Sequence, residues 1–572
     1  MDLHEFENLK PEDQERIFHK TPFREKGELL MHAHNPGALT RSLSQEELYL
    51  VTRDLDTEER GEIIRYATLP QLFFLADIDC WKKDRIDGRS FLQWLETLLE
   101  AGDDQTFAWL MQMDYEAIVA GFQQVIQIAK PDHEWTADEA LGDLPYFTID
   151  QMYYIGVPEE NMQTIKRSLE ILFSRHQGRY FAVIEGVLGE FVDQVEEEAF
   201  HHREMRLGER GFPDFETARK IYSPLTQAEL DHFPRKNKST PGIPQELPVL
   251  PNYLLLWSQE RFFLDDVLHS FQDDTTGTRD KLQEELAWIS NKVIACSGID
   301  LSSEEKVRRG IERARGLINI GLEALSGGDL QKAHKILKDY WLEIIFRWGV
   351  TQTVDLRDKA AVVVKRYWEG AQVDFLNFLD APFDKIFIGL MRPLPQCYDA
   401  ALTSTDSLRD FRALEDVHRL GRAVTQIDHI HAELTEGKLS KEFKKARKES
   451  LEIEPALTLY SFLGTLFTAW GFSKSIKFKP LEISTVPDFM AKAFEGVPER
   501  RVLRADLKES FMTEILPAQA RALCLPLCAL FFERLELEFR KFKNSEDFDE
   551  DLFPSVRFQK IKAVPQKAKR KS

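Results

Sequence analysis

The chain has 572 residues, too many for one compact core, so two or three domains are expected. Apolar residues at 43 % and charged residues at 30 % give a globular composition. A net charge of −21 argues against general nucleic-acid binding, because neutralising phosphates requires a basic face.

At the N-terminus, MDLHEFENLK lacks the basic start and apolar run of a secretory signal, and residues 1–41 read as a helical extension. From residue 42 onward helix-start signatures recur: Ser44/Glu47, Asp56/Glu59, Thr136/Glu139, Thr226/Glu229 and, later, Ser302/Glu305. In each, a short side chain caps the third amide of a helix while the acid reaches back. Between them apolar residues fall three and four apart, as in Phe91, Leu92, Leu95, Leu98 and Leu99. Residues 42–232 therefore read as short amphipathic helices stacked in a superhelix-like, repeat-like domain. Leu72–Phe73–Phe74–Leu75 is followed by Asp77 and Asp79, which read as capping aspartates at a helix end. Residues 233–251 form the clearest boundary, a linker or strap in which five prolines forbid a continuous helix. Helices resume over 252–545 as a larger C-terminal domain, with a hairpin turn at Ser326–Asp329 and an interruption at Arg392–Pro395. Phe478–Val486 is the best candidate for a strand. The tail, 546–572, switches from five acids in Glu546–Asp551 to seven Lys or Arg in Ser555–Ser572, a pattern expected to be solvated. The fold class is all-α.

The densest chemistry lies in Glu196–Leu225, EEEAFHHREMRLGERGFPDFETARKIYSPL. The stripe Phe181, Ile184, Leu188, Phe191, Val195, continued at its own period, places Glu198, His202 and Arg206 on or beside a buried face. Any buried member must be hydrogen-bonded. Two readings compete: a polar network locking helices together, or an acid–base or metal pocket. Glu198 and His201 have the Glu-x-x-His spacing of di-iron bundles, but that spacing recurs at Glu229/His232 and Glu415/His418. The candidate cluster is therefore Glu198, His201, His202 and Arg206, with no metal assigned.

Other constellations are weaker. Cys80, Cys296, Cys397, Cys524 and Cys528 do not form a disulfide framework, and Cys524/Cys528 read as buried apolar thiols. Asp77-Ile-Asp79 has the spacing of a dehalogenase-type nucleophile loop but lies in helical sequence. His32/His34 and His429/His431 read as exposed loop or helix-end pairs. Arg409 and Arg412 read either as surface charges or as partners for the residue-200 cluster. No Walker loop, nucleophile elbow, HExxH or dinucleotide fingerprint is present.

The phrases LSQEELYLVTRDLDTEERGEIIRYATLPQLFFLADIDCW (43–81) and EEEAFHHREMRLGERGFPDFETARKIYSPL (196–225) resemble a bacterial all-helical family known as a domain of unknown function. NIGLEALSGGD (319–329), FLDAPFDKIFIGLMRPLP (378–395 region) and LGTLFTAWGF (463–472) extend the resemblance along nearly the whole chain. The resemblance implies no activity, cofactor or site. Region 42–130 is also similar, at the level of fold alone, to the superhelical cytoplasmic domain of magnesium transporters.

These features point to a cytoplasmic scaffold or regulatory protein that binds another protein, without cofactor and without membrane insertion, since apolar runs such as Leu523–Phe532 are too short to span a bilayer. The motif inventory leans away from an enzyme. Two alternatives remain open: an enzyme built on Glu198/His202/Arg206, and an RNA-associated protein using its basic tail.

Overall fold

The computed structural model describes residues 3–21, 23–131, 136–209, 212–213, 215–233, 261–271, 277–296, 304–367, 372–402, 407–450, 456–497, 500–542 and 549–559. It is all-α: helices run from Leu3–Glu7 to Ala518–Arg540, and the strands are two or three residues long. They pair antiparallel in small sheets, the largest being Gln127–Ala129, Tyr154–Gly156 and Tyr146–Phe147 with Tyr154–Gly156 central. Phe478–Val486 is not a strand. Leu481 makes a single bridge to Phe558, and Ile483–Thr485 is a turn of 3₁₀ helix. Among the described residues no helix is long and apolar enough to cross a membrane.

The chain divides into two compact units, Met1–Ile318 with Leu325–Arg347, and Asn319–Ala324 with Trp348–Ser572. The expected linker lies almost wholly outside the described residues.

In the first unit the helix starts are as the sequence spells them. Ser44 Oγ accepts from the Glu47 amide at 3.1 Å while Glu47 accepts from the Ser44 amide at 3.0 Å, and Thr136/Glu139 and Thr226/Glu229 repeat the exchange. Ser302 lies outside the described residues. The helices Thr57–Ile64 and Gly88–Ala101 pack so closely that a Cβ on Gly61 would stand 2.5 Å from Glu100 Cβ. Beneath them Phe91, Trp94, Trp109 and Phe122 form one aromatic cluster, with ring centroids 5.3–6.3 Å apart. The helix Tyr115–Gln123 packs against Gln177–Gly189 and Val192–Glu209, and Gly186 admits the Tyr115 ring where any side chain would collide with its hydroxyl.

One expectation fails here for a local reason. The stripe through Phe181 and Val195 does not follow a single helix: Gln177–Gly189 ends at Glu190, whose φ −90°, ψ 149° is extended, and a new helix starts at Val192. The break shifts the helical phase. Leu188 and Phe191, placed in the core by periodicity, are 46 % and 81 % exposed.

The second unit centres on the helices Leu414–Thr435, Leu459–Ser473 and Ala518–Arg540. Phe467 sits among Trp470, Phe489, Phe511 and Phe532. Residues 549–559, within the segment whose composition suggests solvation, pack as a strap: Phe553, Ser555, Val556 and Phe558 are buried. Ser555 is held by Glu538, donating from Oγ at 2.6 Å and from its amide at 3.0 Å. The Arg557 amide donates to Thr465 Oγ1 at 2.9 Å.

Candidate functional site

The polar cluster near residue 200 is built by three helices of the first unit. Leu69–Asp79 starts at Thr68, whose amide donates to Gln71 Oε1 at 2.8 Å, with Pro70 in its first turn. It delivers Asp77, whose side chain is 1 % exposed, to the interior. Asp114 and Glu116 stand at the start of Tyr115–Gln123. Val192–Glu209 brings His202, Arg203 and Arg206 along one flank.

Arg206 holds the three helices together. Its Nε donates to Asp77 Oδ2 at 2.8 Å and its Nη2 to Asp77 Oδ1 at 2.7 Å, a bidentate pair, while Nη1 donates to Asp114 Oδ2. Arg203 Nε donates to the Asp77 carbonyl oxygen at 2.7 Å, and its guanidinium lies 5.3 Å from the Trp81 ring centre. His202 Nδ1 lies 3.4 Å from Glu116 Oε2 and 3.9 Å from Asp114 Oδ1. Asp79 pairs instead with Arg60 at 2.5 Å. Neither aspartate caps the helix end as expected; both face arginines.

Burial pushes the Asp77 carboxyl up from the ordinary aspartate range, against the pull of Arg206 and Arg203. Burial likewise lowers Arg203 from the usual guanidinium range. Burial also pushes the nearby Cys80 thiol well up. A pocket of about 190 Å³ opens beside the pair, lined by Gln45, Phe73, Asp77, Arg206 and Glu209 among others. Among the described residues no group of three or more His, Cys, Asp or Glu is placed to hold a metal.

Of the residues singled out in sequence, the structure brings together His202 and Arg206 and separates Glu198 and His201 from them. Both of the latter are exposed on the outer face of the helix, where Glu198 accepts from Gln194 Nε2 at 3.2 Å. All four lie in one helix, whose buried side runs through Val195, Ala199, Arg203 and Leu207 and leaves Glu198 and His201 toward solvent.

Residues 3–559 match the family model described as "Family of unknown function (DUF6178)". The chain belongs to this family. No curated protein and no solved structure matches it significantly.

A second ionic cluster of this DUF6178 chain lies in the second unit. The hairpin Cys397–Tyr398/Leu408–Arg409 aims Arg409 at two carboxylates: Nε donates to Asp399 at 2.7 Å, and Nη1 and Nη2 donate to Asp416 at 2.8 and 2.9 Å. Arg419 Nη2 adds a bond to Asp416 at 3.2 Å, and the Arg412 amide one at 3.1 Å. Despite burial, these partners hold the Asp416 carboxyl down at about 2. Arg409 is thus neither a surface charge nor an uncommitted cation; its own carboxylates occupy it.

The residues that sequence reasoning missed are Asp77, Asp114, Glu116 and Arg203 in the first cluster and Asp399 and Asp416 in the second. Asp77 and Arg206 are 129 positions apart, and no periodicity links them. The available signal was an aspartate inside an otherwise apolar helix, LPQLFFLADID, which demands a cation from elsewhere. His431, read in sequence as an exposed loop or helix-end residue, is 1 % exposed near the C-terminal end of Leu414–Thr435, edge-on to Phe375 and Phe378. Burial pushes it down to about 3.

Proposed function

We propose that this protein is a cytoplasmic helical scaffold or regulatory protein that binds a protein partner, and that its residue-200 cluster is structural. One observation carries the reading. The helix Val192–Glu209 has an ionic inner face already committed to neighbouring helices and an outer face that is not. On the outer face Phe191, 81 % exposed, and Met205, 55 % exposed, bracket the exposed Gln194, Glu198 and His201 at spacings of three and four. Large apolar side chains set among polar ones on a solvent-facing helix mark protein contacts more often than catalysis.

The test compares two variants in quantitative crosslink capture from the native host. Phe191→Ala with Met205→Ala should lose the captured partner while keeping the thermal transition. His202→Ala should keep the partner. Retention of every partner by the Phe191/Met205 variant, or a chain that captures none, would defeat the proposal. An enzymatic reading needs Arg206 to meet substrate, and three of its five N–H groups already serve Asp77 and Asp114.

A further inference from the structure

In a chain of net charge −21, one surface of the second unit is basic. The helix Ser440–Ser450, SKEFKKARKES, turns Phe443 and Ala446 into the core, where the Phe443 ring centre lies 5.4 Å from that of Phe378 and 5.3 Å from that of Phe462. At roughly 100° per residue, Lys441, Lys444, Lys445 and Lys448 then fall together on the opposite side. All four are exposed. Beside them runs the segment Lys477–Lys479. Its middle residue, Phe478, is buried and fastened to the helix: its amide donates to Glu442 Oε2 at 2.8 Å, and Lys445 Nζ donates to its carbonyl oxygen at 3.1 Å. Lys477 and Lys479, on either side of it, are exposed.

The acids of this surface leave the lysine row uncompensated. Glu442 and Glu449 share one flank of the helix, Glu442 taken by the Phe478 amide and Glu449 lying 3.9 Å from Lys445 Nζ. Glu482 lies 3.9 Å from Lys479. Glu433 and Glu436 stand before the first turn, where Glu433 accepts from the Lys438 amide at 3.2 Å. Glu452 and Glu454 lie outside the described residues. Lys441, Lys444, Lys448 and Lys477 pair with no carboxylate among the described residues. At physiological ionic strength charges further away than roughly 8 Å are largely screened, so acids elsewhere on the chain do not cancel the patch.

We propose that this surface binds the phosphate backbone of duplex DNA without reading its sequence. Charge density selects the occupant. From residue 441 to 448 the helix covers roughly 10 Å of axis, over which duplex DNA carries about six phosphates and a single strand about three. The surface meets them with Lys441, Lys444, Lys445, Lys448 and Lys477. The row carries no aromatic ring on which an unpaired base could stack. It carries no apolar anchor either, and lysine is depleted from protein–protein interfaces. A helix that lies on a membrane buries its apolar face in lipid, whereas this one has spent that face on the core. The strap leads to the same place. Gln559 donates from its amide to the Leu481 carbonyl oxygen at 3.0 Å and from Nε2 to that of Pro480 at 3.4 Å. The residues that follow it in sequence, 560–572, hold six Lys or Arg and no acid.

The experiment is fluorescence anisotropy of the full chain with a labelled duplex of about 24 base pairs, titrated at salt from about 50 to about 200 mM. The expected result is binding that weakens steeply with salt. Lys441→Gln with Lys444→Gln and Lys448→Gln should lower the log–log salt slope by about 2.7, since each phosphate contact contributes about 0.9. It should also weaken binding at the lowest salt at least ten-fold. The three side chains are exposed and unpaired, so the melting transition should stay in place. Absence of duplex binding at the lowest salt overturns the proposal, as does a triple variant that binds like the parent. Binding that Lys569→Gln with Arg570→Gln and Lys571→Gln alone abolishes assigns the role to the tail and overturns it too. So does preference for a single strand of equal length, or for phosphatidylserine vesicles, over the duplex. The surface belongs to the second unit, so Phe191→Ala with Met205→Ala should leave duplex binding unchanged, which keeps failure here distinct from failure of the partner reading.

Discussion

Replacing Arg206 by alanine removes the cation from a carboxylate that is 1 % exposed, and the size of the effect follows from the options left to Asp77. Left ionised without its partner, a buried charge costs about 3–5 kcal/mol. The alternative is to bind a proton. Neutralising an aspartate of ordinary pKa near 3.9 at pH 7 costs roughly 4 kcal/mol, since each unit is about 1.4 kcal/mol. That figure caps the loss, and Arg203 nearby trims it toward about 3 kcal/mol. The proton route makes the loss depend on pH. In the variant, Asp77 has a folded pKa raised above its unfolded value, so the folded form is favoured at low pH and the deficit grows as pH rises from about 4. At pH 5 the cap falls to roughly 1.5 kcal/mol. Differential scanning calorimetry of the intact chain should show the first unit's transition falling by about 5–10 °C at pH 8 and by less than half of that at pH 5. Asp77→Asn in the Arg206→Ala background should remove the pH dependence. A fall of under about 2 °C, equal at both pH values, would refute the argument that this pair binds the helices together.

Three further outcomes follow from the second unit. His431, held down at about 3 against 6.5 when unfolded, contributes stability present above pH 6.5 and lost as pH falls toward 3; His431→Met should cut the acid-induced loss between pH 7 and 4.5 by roughly 2–3 kcal/mol in urea titrations. Asp416, held at about 2 against 3.8, contributes stability present above pH 3.8 and lost as pH falls through 2; Asp416→Asn should cost about 2–4 kcal/mol at pH 7 by leaving Arg409 half-paired, and unchanged urea midpoints would count against that role. A Cβ at Gly464 would collide with the Ser555 carbonyl oxygen, so Gly464→Ala should loosen the strap and speed tryptic cleavage at Arg557 at least several-fold; an unchanged cleavage rate would mean that the strap is anchored elsewhere.

Helix starts were legible because they are local. Ser44/Glu47 and Thr226/Glu229 act across three residues, and so does Asp329, which caps Lys332 after two glycines of positive φ. What the sequence hid is non-local or depends on phase. Asp399, Arg409 and Asp416 sit within eighteen residues, yet only the hairpin that pairs Cys397 with Arg409 turns them toward one another. The strap escaped notice because its three buried apolar residues are diluted among charges; what fixes it is Glu538 on another element. His431 was misplaced because a histidine carries no mark of its burial.

The break at Glu190 shows how one backbone conformation redirects a functional argument. With an unbroken helix, Glu198, His202 and Arg206 would share an inward face, and a carboxylate, an imidazole and a guanidinium would converge as a catalytic set does. The extended residue at Glu190 resets the phase, so Val195, Ala199, Arg203 and Leu207 take the interior and Glu198 turns outward. The inward charges are then answered by Asp77, Asp114 and Glu116 from neighbouring helices. The same rotation puts Phe191 in solvent, where an 81 % exposed ring forgoes the burial that its side chain normally gains, roughly 2 kcal/mol or more. Arg206 gives three of its five N–H groups to Asp77 and Asp114 while the Phe191 ring stands bare in solvent, and that contrast is what supports the docking role proposed for this helix.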